Sequence, residues 1–317
     1  MNVDIEFLGT GAGMPSKQRN TSALVLDLTD ENKENWLFDC GEATQHQLLH
    51  SAIKPKKITK IFITHLHGDH IFGLPGFLSS RAFLGGGDSV DLYGPAGLKE
   101  WLQHTYKVTG TYLPYKLNVH EIHDGMILET DEFKVYAREV QHVIQSFGFR
   151  IEQKELPGTL LIDKAIEQGV PKGPLLQRLK DGLDVELDNG QVVYSKDVTT
   201  EKKKGFIITV IGDTSYCTAS VELAQDADIL IHEATFTDEY AEGAKEFGHS
   251  TIVEAATVAK EANVKNLIAN HISARFMPSE MPAFIAEGTE VFEATSIADD
   301  FARYQWKHGE LTKLVKN

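Results

Sequence analysis

The chain has 317 residues, 42% of them apolar, and a formal net charge of −15 at pH 7. That apolar share supports a substantial core, yet the longest apolar runs, GFIITVIG and DILIHEA, are strand-sized and far short of the ~20 residues a bilayer-spanning helix needs. The acidity excludes a surface that is basic all over, so a polyanionic substrate must be met by a local patch or by metal ions that reverse the local sign.

The N-terminus, MNVDIEFLGTGAGMP, enters a strand pattern at once and lacks the basic start and apolar stretch of a signal peptide. VDIEFLG (3–9), SALVLDL (22–28) and NWLFDCG (35–41) have strand character. EATQHQLLHSA (42–52) has helical spacing, with Ala43, Leu48, Leu49 and Ala52 roughly on one face. KITKIFITH (57–65) is a β-branched strand, and DHIFGLPGFLSSRAFLGG then starts a helix that should stop at the glycine triplet 85–87. VDLYGPAGLKEWLQHTY repeats strand, turn and helix. FKVYAREVQH (133–142), GFIITVIGDTS (205–215), DADILIHEATF (226–236) and VKNLIANHIS (264–273) read as strands, with a helix in STIVEAATVAKEAN (250–263). These strands end in His, Asp or Glu, at the edge where α/β sheets place their chemistry. Cys40 and Cys217, the only cysteines, lack C-x-x-C spacing and read as reduced thiols of a cytoplasmic protein.

Residues 152–204 break the alternation. They are rich in Pro and Gly, with scattered charge and weak periodicity, and read as a flexible arm inserted into a single domain spanning 1–317. Over 150–204, ten basic and ten acidic residues interleave. A basic patch there requires segregation in space, for example Lys172, Arg178 and Lys180 around a Gly-Pro turn. KPKKITK (54–60) is a second basic cluster, more often a solvated edge than a contact surface.

The densest chemistry is THLHGDH. On an extended segment His65 and His67 point the same way, while Asp69 and His70 sit at a helix entry turned toward a neighbouring position. Imidazole and carboxylate suit zinc, but one tetrahedral site cannot use all four and stay open to a substrate. Two ions about 3.5–4 Å apart can. Later strand ends supply His142, Asp213 and His271. The expected division gives His65, His67 and His142 to one zinc and Asp69, His70 and His271 to the other, with Asp213 as bridge.

The H-x-H-x-D-H run resembles the metallo-β-lactamase superfamily, which implies a four-layer αβ/βα sandwich. Finer motifs narrow this. PSKQRN (15–20), FDCGEATQHQ (38–47), HEATF (232–236), GHST (248–251), HISARF (271–276) and KGPLLQRLKDG (172–182) stand where the short form of the ribonuclease Z family has them. The resemblance implies a homodimeric tRNA 3′-processing endonuclease with two Zn2+ per subunit, though Mn2+ or Fe2+ tolerate such ligands. Its substrate is precursor tRNA, cut to leave a 3′-hydroxyl on the tRNA and a 5′-phosphate on the trailer. It makes Asp69 a ligand that also orients the attacking water and takes its proton. His249 would protonate the leaving 3′-oxygen and Glu233 would hold that imidazole, with His232, Asp39 and Thr64 behind the ligands. Lys17 and Arg19 would contact the acceptor end, and Gly173, Pro174 and Lys180 would contact tRNA from the arm. The competing readings are another hydrolase of this scaffold (arylsulfatase, lactonase or cyclic phosphodiesterase) and a non-catalytic RNA-binding protein with a relic site.

Overall fold

The computed structural model describes residues 2–28 and 34–314; the segment 29–33 and both ends of the expected 1–317 domain lie outside the described residues. Two large sheets dominate. The first has eight strands in the order 310–314, 303–307, 2–9, 23–28, 34–38, 58–62, 90–94 and 117–121. The second has seven, ordered 295–297, 267–270, 229–233, 207–211, 146–153, 133–140 and 125–129. From 34–38 to 117–121 the first sheet is parallel, as is the second from 207–211 to 295–297. Parallel neighbours need crossovers, and the strand–helix alternation of the sequence supplies them.

Those crossovers cover the outer faces. Leu48, Phe77, Leu78, Leu98 and Leu102 pack against Leu37, Ile61, Ile63 and Leu92 of the first sheet. Leu223, Ala255, Val258, Ala259 and Phe284 do the same for Leu230, Leu267 and Ala269 of the second. The inner faces meet through aromatic rings: Phe62 stacks on Phe38 at 4.9 Å and lies 5.4 Å from Phe149 of the opposite sheet. Each such ring contributes about 1.5–3 kcal/mol by leaving water. Strands buried on both faces explain the near-continuous apolar runs of the sequence. The result is the expected four-layer αβ/βα sandwich.

Two local departures have clear causes. The helix expected after THLHGDH is divided into Gly68–Ile71 and Leu74–Phe83. Pro75 has no N–H to continue the ladder. Gly73 also passes so close to Gly41 that a Cβ would lie 1.9 Å from its carbonyl oxygen. The weakly periodic stretch is not a loose loop. The chain divides into two compact units, one of 1–128, 135–151 and 207–317, the other of 129–134 and 152–206. The second holds helices Ile162–Glu167 and Pro174–Lys180, a hairpin pairing Val185 with Val193, and a core of Ala165, Val170, Leu179, Val185, Val193 and Val198. Helices of six and seven residues are too short to show a 3.6-residue period.

Candidate active site

The strand ends bring all seven expected ligands to one edge of the sandwich. His65, His67, His142 and Asp213 form one set, and Asp69, His70 and His271 a second. His67 Nδ1 lies 3.1 Å from His65 Nε2 and 3.2 Å from His142 Nε2, and His65 Nε2 lies 3.5 Å from Asp213 Oδ2. In the second set His70 Nε2 and His271 Nε2 are 3.3 Å apart, at 3.4 and 3.3 Å from Asp69 Oδ2. Asp213 Oδ2 is 3.4 Å from each of those two nitrogens as well.

These spacings test whether the residues fit metal ions. Imidazole lone pairs and carboxylate oxygens crowded together repel unless a cation lies among them. A tetrahedral ion with bonds of ~2.0–2.2 Å has donor–donor edges of about 3.3–3.6 Å. The edges above, 3.1–3.5 Å, lie close to that range, so each set forms a cage that fits a divalent ion, with the Asp213 oxygen shared between them. His67 offers Nδ1 where the other histidines offer Nε2.

In His142, His70, His65 and His271 the other ring nitrogen is held from behind, as expected of ligand histidines. His142 Nδ1 donates to the Gly248 carbonyl at 2.6 Å. Gly248 has φ 72°, and a Cβ there would lie 2.8 Å from that same nitrogen, so glycine is needed for the approach. His70 Nδ1 meets Asp39 Oδ2 at 2.7 Å, His65 Nδ1 meets Thr64 Oγ1 at 2.9 Å, and His271 Nδ1 meets Thr235 Oγ1 at 3.0 Å. Burial pushes the pKa of His65, His67 and His142 below the usual imidazole value, which keeps their lone pairs free. At His70 burial acts in the same direction, but Asp213 and Asp39 outweigh it and raise the pKa. Burial opposes charge on Asp69 and Asp213 too, yet the surrounding histidines hold both carboxyls well below the carboxylate range.

Beside this centre stands a second arrangement. Glu233 is buried at the end of its strand, and its Oε1 accepts from His249 Nδ1 at 2.8 Å and from the Thr214 N–H at 3.0 Å. His249 Nδ1 is also 3.9 Å from Asp213 Oδ2. Burial disfavours the imidazolium, but Glu233 and then Asp213 raise the His249 pKa to about 9. The rest of GHST is architectural. Ser250 donates to the Thr214 carbonyl at 2.6 Å, and Thr251 caps the helix Ile252–Glu261 in a reciprocal box with Glu254. His232 is fully buried, with Nδ1 on the Glu233 carbonyl at 2.7 Å, so it faces the core and not the centre.

The loop after the first strand partly departs from expectation. Lys17 is exposed. Arg19 is not available to substrate: it is buried, donating to Thr10 Oγ1 at 2.7 Å and the Ala298 carbonyl at 2.6 Å, and pairing with Asp299 at 2.9 Å. Sequence marks a cation but not its direction, and here the guanidinium anchors the loop to the C-terminal segment. That anchored loop brings the Gly13 N–H within 2.7 Å of Asp69 Oδ2, a contact with no sequence signal. The exposed guanidinium near the centre is instead Arg275, which lies over Phe236 at 4.8 Å and Tyr240 at 5.0 Å, with Phe236 6.1 Å from the His249 ring. In the second unit Gly173, Pro174 and Lys180 are exposed; Gly173, at φ 145°, precedes the helix that Pro174 opens.

A family model described as Anti-Pycsar protein Apyc1 matches residues 3–161. A curated Ribonuclease Z of Bacillus cereus is 50% identical over 303 residues, covering 95% of this chain and 99% of that protein. The chain belongs to the ribonuclease Z family. A Ribonuclease Z of Bacillus thuringiensis (strain Al Hakam) is 49% identical over the same shares. Among solved structures, the short form of human tRNase Z superposes with TM-score 0.68 at 33% identity, covering 95% of this chain and 98% of that one. The metallo-β-lactamase fold protein YhfI from Bacillus subtilis gives TM-score 0.68 at 19% identity, covering 96% and 100%, and shows the shared fold. The ribonuclease Z and metallo-β-lactamase resemblances read from the motifs are both borne out.

Proposed function

We propose that this member of the ribonuclease Z family cuts one phosphodiester at the 3′ end of precursor tRNA, leaving a 3′-hydroxyl on the tRNA and a 5′-phosphate on the trailer. The observation that carries the reading is the pair of donor cages with His249, held by the buried Glu233, against their shared Asp213. The cages suit two Zn2+, with Mn2+ or Fe2+ able to use the same ligands; when bound, such ions activate water and offset charge on the phosphate oxygens. Asp69, held by the Gly13 N–H, orients the attacking water and takes its proton. The neighbouring histidines disfavour a protonated Asp69 carboxyl, so the proton leaves from there to solvent. His249 carries a proton at neutral pH and delivers it to the departing 3′-oxygen, while Glu233 fixes the ring. Lys17 and Arg275 receive phosphates at the acceptor end. Gly173, Pro174 and Lys180 offer a backbone turn and a cation to the tRNA from the second unit.

We further infer a homodimer. Leu49, Phe83 and Leu84 are 66%, 92% and 47% exposed and border one apolar groove with His46, Pro55 and Phe77. A patch of that kind marks an association surface. No described helix is long and apolar enough to cross a membrane, and a tRNA substrate with free thiols at Cys40 and Cys217 favours the cytoplasm. Turnover of precursor tRNA measured beside an aryl sulfate and cyclic AMP tests the substrate class. Preference for either small ester would support another hydrolase of this fold.

A further inference from the structure

Two threonines, one on each side of the centre, make the same set of bonds. Thr64 donates its backbone N–H to Asp39 Oδ1 at 2.8 Å, and its hydroxyl lies 2.9 Å from Asp39 Oδ2 and 2.9 Å from His65 Nδ1. Thr235 donates its N–H to Glu233 Oε2 at 3.0 Å, and its hydroxyl lies 2.7 Å from that oxygen and 3.0 Å from His271 Nδ1. Both side chains are shielded from water, at 1% and 2% exposure.

A hydroxyl has one proton, and a carboxylate only accepts. The proton of each threonine therefore goes to its carboxylate, and the hydroxyl oxygen is left to accept from the histidine. That requires the histidine to carry its hydrogen on Nδ1. Nε2, which faces Asp213 in both residues, is then the nitrogen left to an ion held among those oxygens.

We propose that Thr64 and Thr235 are matched positioning residues that hold a hydrogen on Nδ1 of His65 and His271, one ligand in each cage, so that Nε2 is the nitrogen offered to an ion. The two differ in what else they share. Asp39 also holds His70, so the Thr64 carboxylate reaches ligands of both cages. Glu233 also holds His249, so Thr235 shares its carboxylate with the proton donor. This inference rests on the two-ion reading of the site only for the affinities, not for the tautomers.

The test compares Thr64→Val, Thr235→Val and the corresponding serine variants with the parent. Nitrogen-15 imidazole spectra of metal-free protein at mildly alkaline pH report the tautomers, and calorimetric Zn2+ titration reports each ion. Thermal melts of metal-free protein show that the variants fold. The parent and both serine variants should show Nδ1–H at His65 and His271. Thr64→Val should lose that signature at His65 alone and Thr235→Val at His271 alone. Each should weaken one ion about 10–100-fold. Folded valine variants with both signatures and both affinities unchanged overturn the proposal, as do serine variants that behave like valine. A parent that binds one ion overturns the two-ion reading instead, while the tautomer comparison still decides the threonines.

Discussion

Glu233 accepts from His249 Nδ1 with one oxygen, at 2.8 Å, and from the Thr235 hydroxyl with the other, at 2.7 Å. One buried carboxylate thus holds both the proposed proton donor and the group behind His271. Removing the imidazole in His249→Ala should lower kcat by about 10²–10⁴-fold, the range for a positioned acid, with little change in KM. A large rise in KM with kcat preserved would instead make His249 a binding group.

The pH profile separates the two partners. The acid form of His249 exists below its pKa and is lost as pH rises through it. Glu233 and Asp213 raise that pKa to about 9, and bound cations act against them, so the alkaline limb of kcat should lie at or below about 9. Glu233→Gln removes the main raising charge and should move the limb to lower pH. An unmoved limb assigns it to another group.

Asp69 carries two of the proposed roles, metal ligand and base. Asp69→Ala should abolish cleavage while leaving tRNA affinity, measured by filter binding, within a few-fold of the parent. Chelating the metal should also destabilise the protein, since an ion held at 100 times its Kd contributes about 2.7 kcal/mol. The melting temperature should fall on chelation and recover with Zn2+. Identical melts with and without chelator would show that the cages hold no ion.

Arg275 and Arg19 should respond oppositely. Arg275→Ala should leave stability unchanged, weaken tRNA binding, and reduce the salt dependence by roughly 0.7–0.9 log unit per decade of salt, one phosphate contact. Arg19→Ala, which strips buried hydrogen bonds from Thr10 and Ala298, should cost about 2–3 kcal/mol in denaturant melts. The reverse pattern would restore Arg19 as the phosphate contact.

The ends of the arm pair with each other: Leu156 and Lys203 exchange both backbone bonds at 3.0 Å. Excising the segment between them and closing with a short turn should weaken precursor tRNA binding and spare hydrolysis of bis-p-nitrophenyl phosphate. Normal cleavage of precursor tRNA by that variant would remove the arm from recognition.

How much of this was legible in the sequence depends on what each residue must do. The clustering of seven candidate donors was legible because His65, His67, Asp69 and His70 crowd a segment where no core would choose them, and because His142, Asp213 and His271 follow apolar strands. Which ring nitrogen faces the centre was not, since side-chain rotation leaves no mark in the chain; His67 alone offers Nδ1. Arg19 misled because a cation in a polar loop reads alike whether it points out or in, and the acceptors that turn it inward are supplied mainly from near the far end of the sequence. Arg275 lay unweighted in HISARF because its aromatic bed, Phe236 and Tyr240, comes from another segment. The arm hid its fold because short helices leave little periodicity, though Leu179, Val185 and Val193 pack a core.

The site's proposed chemistry ends in one cut. Mapping both product ends after incubating Zn2+-loaded protein with a precursor tRNA reads that cut. A single cut at the 3′ end of the mature tRNA is expected, with a 3′-hydroxyl on the tRNA and a 5′-phosphate on the trailer. A 3′-phosphate on the tRNA, or an uncut precursor beside rapid hydrolysis of a small ester, would contradict it.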